Sequence, residues 1–345
     1  MTGFANKVRG KPIYLMADIG LTCGGDYERT IKLIELAGQL GFDAVKLQML
    51  VAEDLLGDHN VTYTYPTMSH GNKTENMVEM FKKLEFCDAE WAEITQKISS
   101  LSMDPIITCH YEGGVERVNR LNLGVNKICT WSLSHQRMIN SLAENGNPLL
   151  LDTGTINEAQ LISLRDRYRD YYNQDIIVLH DFHTNSPTEM NFRAMLRLEE
   201  LGITFGYTPQ GRKDWFDYMA IGLGAKIIEK RLTISRDIPE NGHWKAHEPE
   251  EMKVWIANVK ECVEALGRKE IVPTYQDLED AKKYYKSAWL ANPKKAGDII
   301  RDSDIVFKRP GIGISSIAWY DELGGEAIAR LDINRDTMLS KDMLK

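Results

Sequence analysis

Two lysines end apolar runs of strand length, Lys46 in DAVKLQ and Lys127 in VNKICTWS. An ammonium buried at such a position is costly unless an anion meets it, so the pair is read as a clamp for phosphate or carboxylate. Other polar side chains end runs of the same kind: Asp18, Asp152, His180 with Asp181, and the triplet Glu229-Lys230-Arg231, with Gln48, His110 and Gln210 close by. Charged residues seldom end so many buried strands without function. The competing reading is simple ion pairing of the lysines with Asp18 or Asp152, and the clamp stands only if Asp152 leaves those amines room for an anion. A Schiff-base lysine ranks below the clamp, because the lysines sit among charges rather than in an apolar pocket. His180 and His183, beside Asp181 in VLHDFHTNSP, can offer imidazole to a divalent metal, though no HExxH or similarly tight motif is present. His243 follows the last strand in ENGHWKAHEP, whereas His247 reads as a surface loop residue. Cys109 and Cys129 read as core thiols, and Trp131 and Tyr207 as an apolar wall or plain packing.

These side chains need a frame that brings strand ends together. Tyr14–Gln48 reads as strand, glycine-bearing loop, helix and strand, with Ile31, Ile34, Ala37 and Leu40 on one helical face and Gly41 as its C-cap. Ile13–Asp18 and Asp43–Gln48 are the first two strands. Further apolar runs follow at Pro105–Cys109, Val125–Cys129, Pro148–Asp152, Ile176–His180, Ile203–Tyr207 and Lys226–Lys230. Segments of helical pattern lie between them, such as Ile156–Arg169 and Asp214–Leu223. Eight strands alternating with helices is the number at which a parallel array closes into a filled (β/α)8 TIM barrel. An open doubly wound sheet would more often show GxGxxG after its first strand, which is not found. In a barrel, the strand ends share one mouth. The polar stretch from Gln48 to about Met80 lacks periodicity and is too long for an ordinary connection, so it reads as a functional loop or lid.

The expected division is a barrel over residues 1–270, a partly helical linker over 271–285, and a small β-rich module over 286–345. That module, with its turns at NPKKAGD and Gly324/Gly325, is too small to hold much core alone and should lean on the barrel or a partner. The chain has 345 residues, 43% hydrophobic, with a formal net charge of -8, which argues against a nucleic-acid surface or a polybasic membrane patch. No window approaches a membrane span, and the five cysteines show no metal-type CxxC spacing. A cytoplasmic protein with free thiols is the expectation.

The ordered segments ADIGLTCGGD, DAVKLQ, FKKLEFCDAEW, VNKICTWS, PLLLDTG, FGYTPQ, GAKIIEKRLT and KRPGIGIS resemble the sialic acid synthase (N-acetylneuraminate synthase, NeuB) family nearly end to end, and KRPGIGIS resembles its antifreeze-like SAF domain. The resemblance implies a (β/α)8 barrel with a small β-clip SAF domain, in a domain-swapped homodimer. It implies condensation of phosphoenolpyruvate with an N-acetylhexosamine-type amino sugar, giving a nonulosonic (2-keto-3-deoxy) acid and phosphate. By position it assigns catalysis to Asp18 and Glu229 and the donor to Lys46 and Lys127, with Thr108 and Thr130 assisting. Gln48, Asp152, Tyr207, Gln210, Arg231 and His243 complete the substrate-binding set, and Arg309 belongs near the sugar. A divalent ion, manganese or magnesium, would take His180, but Gln210 stands where the family has a second histidine and Arg231 where it has a further one.

Other departures are Asp18 for a glutamate and Asp152 for a serine. A carboxylate about 4 Å from a phosphate costs on the order of 1–4 kcal/mol. The alternatives are an aldolase or lyase on the same scaffold with another donor and no metal, or a non-catalytic sugar-binding paralogue.

Overall fold

The computed structural model describes residues 3–345, which fall into two compact units that meet in sequence between Gly267 and Arg268. The first is a closed barrel of eight parallel strands. They are β1 (Tyr14–Asp18), β2 (Ala44–Met49), β3 (Asp104–Cys109), β4 (Asn126–Ile128), β5 (Leu149–Asp152), β6 (Ile176–His180), β7 (Thr204–Tyr207) and β8 (Ile227–Arg231). Each pairs with its sequence neighbours, and β8 closes on β1. Most strand ends lie within a residue or two of the expected positions, and β4 is shortened to three residues.

The pleat divides each strand between two cores. Tyr14, Met16, Ala44, Ile106, Leu150, Ile177, Leu179 and Ile227 fill the barrel interior, together with Phe4, Ala5 and Val8 of the short helix Phe4–Gly10. That helix went unread in the sequence, because Asn6, Lys7 and Arg9 are interspersed with the three residues that are buried and leave too short an apolar pattern. Leu15, Ala17, Val45, Leu47, Leu149, Leu151, Val178 and Ile228, of the other parity, pack outward against the helices. On β1 the inward parity runs Tyr14, Met16, Asp18, so the last inward side chain of a strand lies at the mouth.

The connection after β1 shows how the local sequence sets the chain path. Gly25 holds φ +66°, and a Cβ there would lie 1.5 Å from the Lys83 carbonyl oxygen. Asp26 caps the helix Tyr27–Leu40 by accepting from the Arg29 N–H, and Gly41 ends it in the left-handed region. The stretch after β2 is more ordered than its composition suggested. It forms an antiparallel hairpin, Thr62–Thr67 with Gly71–Asn76, followed by the helix Met77–Lys82. Only Tyr65 of the two strands is buried, so no apolar periodicity betrays them.

The second unit contains the helix Tyr275–Tyr284 and two antiparallel pairs, Ser287–Leu290 with Ile305–Lys308 and Ile299–Arg301 with Glu326–Ile328. It has a core of its own around Trp319, Leu290, Ile300 and Leu339. The segment read as a linker belongs to this unit: the Gly311 N–H donates to the Lys282 carbonyl, and Arg309 Nε donates to the Tyr284 carbonyl. No helix among the described residues is long and apolar enough to cross a membrane.

Candidate active site

Strand register places the charges at the mouth beside one another. Lys46 on β2 is the neighbour of Asp18 on β1, and Asp18 is the neighbour of Arg231 on β8. Lys46 Nζ lies 2.8 Å from Asp18 and 2.9 Å from Glu229, and Arg231 Nη2 lies 2.7 Å from Asp18. Lys127 is paired with Asp152, and 3.5 Å from the other oxygen of Glu229. Glu229 therefore bridges the two lysines. Burial would raise the Asp18 carboxyl, but Lys46 and Arg231 hold it far below the ordinary carboxylate range. Burial likewise opposes the charge on Lys46, yet Asp18 and Glu229 keep it firmly protonated. Asp152 goes the other way. Burial pushes it up to about 7, with Glu229 and Asp181 adding to the rise, and one ammonium does not cancel that crowd.

Beside this cluster lies a cavity of about 590 Å³. Lys46, Gln48, Thr108, Asp152, Glu229 and Arg231 contribute to its wall, as do Thr130 and Gln210. Asp18 and Lys127 lie behind the wall; the Lys127 side chain is fully covered. Asp152 thus occupies the amine that was to meet an anion, although the cavity next to it is open. Three buried polar atoms on the wall have no hydrogen-bond partner among the described residues: Thr108 Oγ1, His110 Nε2 and Arg231 Nη1. Burial, with Lys46 and Lys127 nearby, lowers the His110 imidazole to about 4, so it is neutral at physiological pH.

Four of the residues named from sequence face elsewhere: His180, Tyr207, Lys230 and His243. His180, Tyr207 and Lys230 have the outward parity of their strands. His180 Nε2 lies 2.7 Å from the Met190 carbonyl oxygen, its ring among Phe182, Phe192 and Tyr207. Tyr207 is buried in that cluster, and Lys230 pairs with Asp217 and Asp214 against Trp255. His243 is fully buried, with Nδ1 2.7 Å from Thr233 Oγ1, and is not in the wall. His247, read as a surface residue, is 4% exposed and bonds Asp214 at 2.8 Å. Arg309 lies in the second unit, its guanidinium over the Tyr284 ring.

The wall also holds residues that sequence reading underrated. Asp181 and His110 have the inward parity of their strands, and Cys129 Sγ lies 3.6 Å from His110 Nδ1, so this thiol is not merely core. His183 packs against Trp131 with ring centroids 4.3 Å apart and the ring planes tilted by 42°. Thr208 and Lys245 went unnoticed. Thr208 directly follows Tyr207, so the period-2 alternation of that strand gives it the opposite face to Tyr207; Lys245 lies in a loop with no such signal.

The divalent ion implied by the resemblance does not suit these donors. His180 Nε2 is engaged by a backbone carbonyl, and Gln210 donates its amide to Asp181 at 2.8 Å while its oxygen accepts from Lys245 at 3.0 Å. Arg231, a cation, stands in place of a further imidazole. Among the described residues no three His, Cys, Asp or Glu side chains are grouped to hold a metal ion.

A closed parallel barrel with polar side chains converging at the carboxyl ends of its strands is the arrangement of a (β/α)8-barrel enzyme site. Residues 33–271 match the NeuB family and residues 285–345 the SAF domain. The chain belongs to the NeuB family, and it carries a C-terminal SAF domain. It is 26% identical to an N,N'-diacetyllegionaminic acid synthase from Legionella pneumophila, over 95% of this chain and 93% of that protein. It is 20% identical to a pseudaminic acid synthase from Campylobacter jejuni, over 92% and 93% of the two chains. Among solved structures, the N-acetylneuraminic acid synthetase of Leptospira borgpetersenii superposes with a TM-score of 0.69 at 19% identity, covering 78% of this chain and 90% of that one.

Proposed function

We propose that this chain is a synthase that condenses phosphoenolpyruvate with the aldehyde of an N-acetylhexosamine-type sugar, giving a nonulosonic acid and phosphate. The three unpartnered polar atoms on the wall, Thr108 Oγ1, His110 Nε2 and Arg231 Nη1, support this reading, since they await an oxygen-rich ligand. Lys46 and Arg231 bind the anionic donor from the wall. Lys127, behind the wall, adds its charge to the field at the donor when Asp152 takes up a proton, which near neutral pH costs little. Glu229, between the lysines, orients both ammonium groups. Residues rather than a resident divalent ion carry the charge of the reaction. We further propose a homodimer in which the SAF domain of each chain, through Arg309, completes the other's site.

The test is thermal unfolding with millimolar phosphoenolpyruvate. A ligand at about 100 times its Kd stabilises the folded state by about 2.7 kcal/mol, a shift of several degrees. Phosphate release on adding N-acetylmannosamine would then establish turnover. One observation favours a second reading. Because Lys46 and Lys127 are both met by carboxylates, the site offers little surplus positive charge. A less charged donor, as in a metal-free aldolase or lyase, would suit it. A shift with pyruvate and none with phosphoenolpyruvate would select that reading.

A further inference from the structure

Of the four cations at the cavity, three are held by carboxylates: Lys46 by Asp18 and Glu229, Lys127 by Asp152, and Arg231 by Asp18. The fourth, Lys245, has no carboxylate within salt-bridge distance among the described residues. Its one hydrogen bond goes to the Gln210 side-chain oxygen, at 3.0 Å. Gln210 is oriented in turn, because its amide donates to Asp181 at 2.8 Å and its own carbonyl accepts from Asn185. A relay of this kind fixes an amine in place without neutralising it. Lys245 also lies on the wall with Arg231 and His183.

We propose that Lys245 binds, and gives its proton to, the ligand oxygen that becomes negatively charged as the carbon–carbon bond forms. This rests on the condensation proposed above. The enol π pair of the donor forms the new bond to the aldehyde carbon, and the carbonyl π pair moves onto its oxygen. A proton passes from Lys245 Nζ to that oxygen, leaving a hydroxyl and a neutral amine. Water then adds to the electron-poor donor carbon. Of its two protons, one restores the Lys245 ammonium and the other leaves with phosphate, whose carbon–oxygen bond breaks with the pair going to oxygen. Burial and the neighbouring Arg231 lower Lys245 to about 7, which suits an amine that must both give and regain a proton at neutral pH. Gln210, fixed between Asp181 and Lys245, is a positioning residue.

Two measurements on the full-length protein test this. The first is competitive acetylation of the intact chain with acetic anhydride across pH, read by peptide mass spectrometry. Lys245 should label with a midpoint near 7, and labelling only above about pH 9, as for an ordinary lysine, overturns the proposal. The second compares Lys245→Met and Lys245→Arg with the unaltered chain, using phosphoenolpyruvate and N-acetylmannosamine in buffer treated with chelator. Both variants should lose about 10²–10⁴ in kcat while keeping the donor-induced melting shift, because arginine keeps the charge but not the transferable proton. Wild-type kcat in either variant, or activity of the unaltered chain that requires added manganese, overturns the proposal. Absence of any donor-induced shift in the unaltered chain counts against phosphoenolpyruvate instead, and the labelling midpoint then decides on Lys245 alone.

Discussion

At the scale of single residues, the mouth of the barrel is a set of buried charges that exist because each is met by another. Asp152 is the exception with consequences for pH. Its carboxyl is raised to about 7, far above its unfolded value, so the stability it contributes is present at low pH and lost as pH rises through 7. Replacing it removes that loss. The unfolding free energy of Asp152→Asn, measured in urea, should gain on that of the unaltered chain by a few kcal/mol between about pH 4 and pH 7. A parallel pH dependence in the two proteins would show that Asp152 is ionised throughout. Lys46 gives the complementary case. Lys46→Met leaves Asp18 and Glu229 with one fewer cation and should cost about 3–5 kcal/mol in the same assay. Adding Glu229→Gln to Lys46→Met should recover part of that, since it removes one of the stranded carboxylates.

At the scale of elements, strand parity decides which residues reach the cavity. Asp18, Lys46, Thr108, Asp152 and Glu229 share the inward phase of their strands, whereas His180, Tyr207 and Lys230, at the ends of β6, β7 and β8, take the outward one. A strand end is therefore too coarse a predictor: adjacent residues point to opposite faces, one toward ligand and one toward a helix. The turn after β1 is the other element-level constraint, because it carries the chain from Asp18 to the helix behind it. Gly25→Ala places a methyl on the Lys83 carbonyl and forces a positive φ on a residue that resists it. A loss of 1–3 kcal/mol or more in stability is expected, roughly the range for overpacked sites. Unchanged urea midpoints would show that the backbone there yields freely.

At the scale of the whole molecule, two units with separate cores should unfold as two. A chain ending at Gly267 should keep the circular dichroism and cooperative melting of the barrel, and calorimetry of the full chain should resolve two transitions. Loss of structure on truncation would mean that the barrel depends on the second unit for stability. The proposed exchange of SAF domains has its own test. If each site combines one chain's barrel with another's SAF domain, mixing and refolding Lys46→Met with Arg309→Met should restore about a quarter of the activity. Neither variant should be active alone, and a mixture that stays inactive would show that each chain completes its own site.

The alternation of apolar runs and helical patterns was enough by itself to define the barrel, because burying a parallel sheet on both faces writes its signature on nearly every strand; residues 286–345 read by themselves only as a small β-rich module, and the SAF domain was legible through the resemblance of KRPGIGIS. The convergence of lysines and carboxylates at the mouth was legible because charges rarely end buried strands, and the ion pairs of Lys46 with Asp18 and of Lys127 with Asp152 are those of the competing reading. Tertiary structure alone decided that His180 faces an aromatic cluster, that Asp152 covers Lys127, and that Lys245 enters from a loop to stand without a carboxylate. Those outcomes depend on register between strands, on which face each side chain takes, and on where a distant loop returns, quantities set by packing across the whole barrel rather than by any local run of residues.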